Sequence, residues 1–122
     1  MSCSERPVDG VTTTLELELG VWPVARWYEE QSHSGRTLNY GASTGWVFAR
    51  IGAMTSQQVE SSIEGMGRAM RVPRWSAAVA SASETEDIIA RVRQGLDEGG
   101  LGIGFPSAYV PGAGVKEMSA LC

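Results

Sequence analysis

Histidine is nearly missing from this sequence: His33 is the single one among 122 residues. It falls in the polar stretch Gln31-Ser32-His33-Ser34-Gly35, where it reads as a solvated residue rather than a ligand. One histidine without a placed partner builds neither a Ser-His-Asp nor a Cys-His arrangement. Cysteine is almost as scarce. Cys3 and Cys122 stand at opposite ends, without the CxxC spacing of a metal knuckle. A disulfide between them is disfavoured in a chain that shows no secretion signal, since Met1-Ser2-Cys3-Ser4-Glu5-Arg6-Pro7 has no apolar core. No apolar run approaches the ~20 residues of a membrane span. Positive charge is also short. Ten Lys and Arg against fourteen Asp and Glu leave a net charge of −4, which argues against nucleic-acid and anionic-membrane partners. The expected setting is cytoplasmic.

What remains is an ordinary globular composition, 43% hydrophobic and 20% charged, in a chain long enough for one core. Glycine is the conspicuous excess at 15 residues. The glycines stand at the ends of apolar runs, where turns need positive φ or close backbone approach.

Val11 to Leu19 is β-branched and then alternates leucine with glutamate up to Gly20, which predicts a strand. Trp22-Pro23 opens a helix with Val24, Trp27 and Tyr28 at helical spacing. Thr37 to Ser43 predicts a second strand. Trp46 to Met54 is mostly apolar, and Ser56 to Met70 suits a helix with Val59, Ile63 and Met66 on one face, though Gly52, Gly65 and Gly67 weaken helix formation. Arg71-Val72-Pro73-Arg74-Trp75 breaks any helix that reaches it. Ser83-Glu84-Thr85-Glu86 has capping-box spacing ahead of the stripe Ile88, Ile89, Val92, Leu96, and Gly99-Gly100 supplies the stop. Leu101-Gly102-Ile103-Gly104-Phe105 then predicts a short buried strand, followed by a loop over Ser107 to Gly112 and a helix start at Val115 to Leu121. Strands alternating with helices imply an α/β fold with parallel strands and right-handed crossovers.

Two blocks carry a family likeness. The first runs from Asp9-Gly10-Val11-Thr12-Thr13-Thr14 through Trp22-Pro23-Val24 and Trp27-Tyr28 to Asn39-Tyr40-Gly41-Ala42-Ser43. The second runs from Gly95-Leu96-Asp97-Glu98-Gly99-Gly100-Leu101-Gly102-Ile103-Gly104 to Tyr109-Val110-Pro111-Gly112. In this order they resemble segments of the amidohydrolase superfamily of the N-acyl-D-amino-acid deacylase (D-aminoacylase) type. The likeness covers roughly residues 8 to 118 and leaves residues 1–7 as an atypical tail. It implies that residues 8–122 are a partial (β/α) TIM-like barrel segment, because a whole barrel needs about 250 residues. In that family zinc activates water for hydrolysis of an amide in N-acyl-amino-acid-like small molecules. The family's His-x-His pair belongs upstream of Asp9 and its later histidines beyond Cys122. The expectation is therefore a segment that neither holds zinc nor hydrolyses its substrate alone.

Four residues are candidates for substrate binding. Glu18 stands at the carboxyl end of the first strand, where barrel active-site groups gather; Glu16 shares its side of the strand, and alternation alone would also give both residues a solvated face. Tyr40 and Ser43, with Asn39, lie at the end of the second strand, where turn and capping roles compete with pocket lining. Tyr109 follows the glycine-rich strand, as a substrate-loop residue or a surface aromatic. Gly100-Leu101-Gly102-Ile103-Gly104 lacks the G-x-G-x-x-G spacing and forms a strand rather than the turn after one, which argues against nucleotide binding. Trp22, Trp27, Trp46 and Trp75 read as core residues. A second reading is a stand-alone small α/β domain that binds a ligand or associates with copies of itself through open strand edges.

Overall fold

The computed structural model describes residues 10–122. The tail expected over residues 1–7, and Cys3 within it, lie outside the described residues. The fold is mixed α/β. Strand β1 (Thr13–Val21), helix α1 (Val24–His33), strand β2 (Asn39–Gly45) and helices α2 (Trp46–Thr55), α3 (Ile63–Ala69), α4 (Arg74–Ala77) and α5 (Ala82–Asp97) precede the two-residue strand β3 (Ile103–Gly104). A single 3₁₀ turn (Ser107–Tyr109) and helix α6 (Val115–Leu121) complete it. Among the described residues, no helix is long and apolar enough to cross a membrane.

The three strands form one open, parallel sheet in the order β1-β2-β3. β1 and β3 are thus both parallel to β2, which stands between them. β1 lies at an edge. Its register pairs Thr14 with Tyr40, Leu15 with Gly41 and Glu16 with Ala42, then slips before Val21 meets Thr44. Residues paired in register share a face. Thr14, Glu16, Tyr40 and Ala42 therefore lie on the face covered by α1 and α5, where Ala42 packs with Val21, Val24, Trp27 and Tyr28. Leu15 and Gly41 lie on the other face, together with Leu101, which reaches across Gly41.

The slip in β1 ends at Gly20, whose φ is +75°. A Cβ there would sit 2.7 Å from the Gly45 nitrogen, so only glycine permits this approach. Gly104 closes on the same place: a Cβ on it would lie 2.6 Å from the Gly20 nitrogen. One glycine at or near the end of each strand thus brings three backbones together.

Helix α2 follows β2 without a loop, and eight of its residues are buried, from Trp46 to Gly52 and Met54. Burial on all sides explains why this run reads as apolar without a stripe. Helix α5 packs against α2 and β2 through Ile88, Val92 and Gly95. A Cβ on Gly95 would lie 2.6 Å from Thr44 Cβ and nearer still to its hydroxyl. That hydroxyl is buried without a hydrogen-bond partner.

Several expectations need correction. The capping box at α5 is formed by Ser81 and Glu84, two residues earlier than expected. The Glu84 N–H donates to Ser81 Oγ at 3.2 Å, and the Ser81 N–H donates to Glu84 Oε2 at 2.8 Å. Ser83 has the same spacing to Glu86, but the helix has already begun at Ala82. The helix expected from Ser56 to Met70 is confined to Ile63–Ala69, capped by Ser62. Val59 is buried ahead of it, while Ile63 is 88% exposed, so the proposed stripe does not form one face. Leu101 to Phe105 is not a buried strand along its length: β3 pairs only at Ile103 and Gly104, and Leu101 is 60% exposed on the uncovered face. His33 closes α1 instead of lying in a linker, with Nδ1 at 2.8 Å from the Glu29 carbonyl. Trp27 is only half-buried, whereas Trp22, Trp46 and Trp75 belong to the core.

Candidate functional site

The carboxyl ends of parallel strands are where α/β folds gather functional groups. Here each strand is followed at once by an aromatic residue: Trp22 after β1, Trp46 after β2, Phe105 after β3. Trp46 is fully buried and its ring centroid lies 4.1 Å from that of Phe105. Trp22 is buried in the same cluster, tied to Ser61 by a 2.8 Å bond from the Ser61 N–H to the Trp22 carbonyl.

Under this aromatic layer lies a polar centre. Arg50, one helical turn beyond Trp46 in α2, is fully buried. Its Nε donates to the Trp75 carbonyl, its Nη2 to the Ala78 carbonyl and its Nη1 to Glu117 Oε2. The other carboxylate oxygen, Glu117 Oε1, accepts from the Trp46 indole N–H at 2.9 Å. Glu117 is the buried residue of α6. Three chain segments therefore converge on one guanidinium: α2, α4 with the residue just after it, and α6. Two cation faces bind backbone and one binds carboxylate, which satisfies a charge that would otherwise be costly to bury.

The amino end of the sheet differs. A groove of 330 Å³ is lined by Thr14, Leu15, Glu16, Trp27, Glu30, Gln31, Arg36, Tyr40, Gly41 and Ser61. Tyr40 stands edge-on to Trp27, with centroids 6.0 Å apart, and 6.2 Å from Tyr28. The Tyr28 hydroxyl donates to the Gly99 carbonyl at 3.0 Å and accepts from the Ala42 N–H at 3.3 Å, fixing α1 to β2 and to the end of α5. A smaller recess of 140 Å³ beside Arg26, Glu30 and Glu60 adjoins it through Trp27 and Ser61.

The four sequence candidates fall in different places. Tyr40 lines the amino-end groove. Ser43 is buried and its hydroxyl donates to the Leu17 carbonyl at 2.9 Å, clamping β1 to β2 across the register slip. Glu18 is exposed on β1, as is Glu16. Tyr109 is 72% exposed on the 3₁₀ turn. Among the described residues, no hydrogen bond or aromatic contact joins any two of the four. No group of three His, Cys, Asp or Glu residues is arranged to hold a metal ion, again among the described residues. The polar centre that the sequence reading missed had one visible signal, Arg50 as a lone charge inside an apolar run. Its partner Glu117, 67 residues away, had none.

No protein-family model matches the chain, and no curated protein or solved structure matches it either.

Proposed function

We propose that this chain is a set of (β/α) staves similar to part of a metal-dependent amidohydrolase barrel, acting on amide bonds of N-acyl-amino-acid-like small molecules only when joined to strands that carry metal ligands. The observation that supports this reading is the two-sided character of the sheet. Helices α1 and α5 cover one face, while Leu15 and Leu101 stand about half exposed on the other, at 50% and 60%. In a barrel the helices form the outer ring and the opposite face turns inward onto packed side chains. Leucines left in water on that face are what a set of staves would present before closure.

Zinc does not fit the residues at hand. Glu16 and Glu18 are exposed, His33 is at the far end of α1, and among the described residues nothing completes a ligand set around them. No hydrolytic step is therefore derived for this chain alone. The test is calorimetric titration of the purified chain with zinc, alongside a deacylase assay on N-acetyl-amino acids. The expected result is neither stoichiometric tight binding nor turnover, and either one would refute the inactive-segment reading. Co-expression with a chain supplying histidine-bearing staves is expected to give zinc-dependent deacylase activity; a stable complex without it would remove the amidohydrolase assignment.

A second reading has its own observation. β1 is an edge strand with Leu15 and Leu17 about half exposed, at 50% and 49%, and Val11 just ahead of it at 46%. Such an edge pairs readily with another chain, so self-association without catalysis is the alternative. Light scattering at increasing concentration checks it: assemblies of defined size support association, and a monomer with cooperative unfolding rules it out.

A further inference from the structure

We infer that Arg50 and Trp46 form a carboxylate-binding site at the carboxyl end of the sheet, and that Glu117 is its internal occupant, carried on a helix that an external carboxylate displaces. The inference does not rest on the amidohydrolase reading.

Two donors read two oxygens of one carboxylate. The Trp46 indole N–H takes Oε1 at 2.9 Å and Arg50 Nη1 takes Oε2. The guanidinium is held in place independently of Glu117, because its Nε and Nη2 are committed to the carbonyls of Trp75 and Ala78. Two donors held in fixed directions, one for each oxygen and one of them charged, suit a carboxylate. The position is also that of a ligand site: Trp46 directly follows β2, its ring lies against Phe105 directly after β3, and the carboxyl ends of parallel strands are where α/β sheets bind ligands.

The occupant is carried on a short helix. Helix α6 has seven residues, with Glu117 buried, Val115 82% exposed and Lys116 exposed beside it. A helix of two turns has no stability of its own in water, so its order depends on docking. Its hold on the core is the carboxylate of Glu117 together with the half-buried Leu121, and a carboxylate is also the chemistry of a competing ligand.

The test uses acetate as the probe, with chloride at equal ionic strength as the control. In the Glu117→Ala chain the fork is vacated, and acetate is expected to raise the melting temperature saturably and to change Trp fluorescence; chloride is not. The Glu117→Gln chain keeps the site filled with a neutral side chain and is expected to respond to neither. If Glu117→Ala does not fold in chloride, refolding yield in acetate against chloride gives the same comparison. Equal behaviour in the two salts overturns the carboxylate site. In the unaltered chain, high acetate is expected to speed tryptic cleavage after Lys116 several-fold over chloride. Equal cleavage rates would make α6 a fixed cap and overturn its displacement.

Discussion

The two ends of the sheet are built on opposite principles. At the carboxyl end Gly20, Gly45 and Gly104 let backbones touch, and Trp22, Trp46 and Phe105 join one apolar cluster in which Trp46 is hydrogen-bonded to a buried ion pair. At the amino end Leu15, Leu17 and Leu101 remain about half exposed beside an open groove. Pairing differs too, since β3 joins only Thr44 and Gly45 at the carboxyl end, while β1 and β2 pair alone at the amino end. The ends differ as well in how completely side chains exclude water, and that sets where a substitution is felt. Interiors near crystal density transmit every lost or added methyl group, while half-exposed positions relax into solvent.

The sharpest break in that contrast is the Arg50–Glu117 pair. Replacing Glu117 by Leu strands a buried guanidinium, and removing one partner of a buried pair costs about 3–5 kcal/mol. Arg50→Met strands the carboxylate and is expected to cost a similar amount. The double variant Arg50→Met/Glu117→Leu leaves no charge behind and is expected to recover most of the loss, because apolar packing replaces such pairs at little net cost. Urea denaturation of the four chains forms the cycle. Additive losses in the double variant would show that the two residues do not act as a pair.

The glycine contacts come next. Gly95→Ala drives a methyl group into Thr44, and Gly20→Ala combines a backbone clash with a φ of +75°. Overpacking of this kind costs about 1–3 kcal/mol, measured as a drop in the denaturation midpoint. Thr44→Val tests the same contact from the other side. The Thr44 hydroxyl is buried without a partner, so removing it is expected to leave stability unchanged or raised. A large loss would mean that the hydroxyl has a partner after all.

How far the sequence revealed these two ends follows from the range of the interactions. The alternation Leu15-Glu16-Leu17-Glu18 announced β1, and Trp22-Pro23 announced the start of α1, because both signals are local. The slip in β1 was hidden, since it depends on Ser43 and on the glycines of the other two strands. The start of α5 was ambiguous by two residues because Ser81 and Ser83 each stand three before a glutamate. Arg50 was visible as an anomaly, but Glu117 and the Trp75 and Ala78 carbonyls lie 67, 25 and 28 residues away. Of the four candidate site residues Tyr40 lines the amino-end groove, with Glu16 beside it, away from the ends that strand polarity favours.

At the open end, Leu15→Lys and Leu17→Lys are expected to change stability by no more than about 0.5 kcal/mol, since both side chains are already half in water. Their effect belongs to association: added charge on an edge strand opposes pairing with another chain. Light scattering is expected to show smaller assemblies than the unaltered chain forms. A destabilisation as large as that of Gly95→Ala would mean that this face is packed in the monomer and would erase the difference between the two ends.

The smallest effect lies on the rim of the closed end, where Glu84 caps α5 and meets Arg74 Nη2 at 2.7 Å. The Ser81 N–H holds the Glu84 carboxyl below its ordinary value; burial opposes this, and the Arg74 guanidinium adds to the lowering. A carboxyl whose pKa is lower in the folded chain binds fewer protons there than in the unfolded chain. Its contribution to stability is therefore fully present above the ordinary glutamate value, about 4.3. It is lost as pH falls through the lowered value. Glu84→Gln keeps an acceptor for the Ser81 N–H but removes the titration, so its stability is expected to fall less steeply between neutral and acid pH than that of the unaltered chain. The two curves, from urea denaturation at a series of pH values, are expected to converge at the acid end. Parallel curves would show that the carboxyl has the same affinity for protons folded and unfolded, and that the rim contributes through its hydrogen bonds alone.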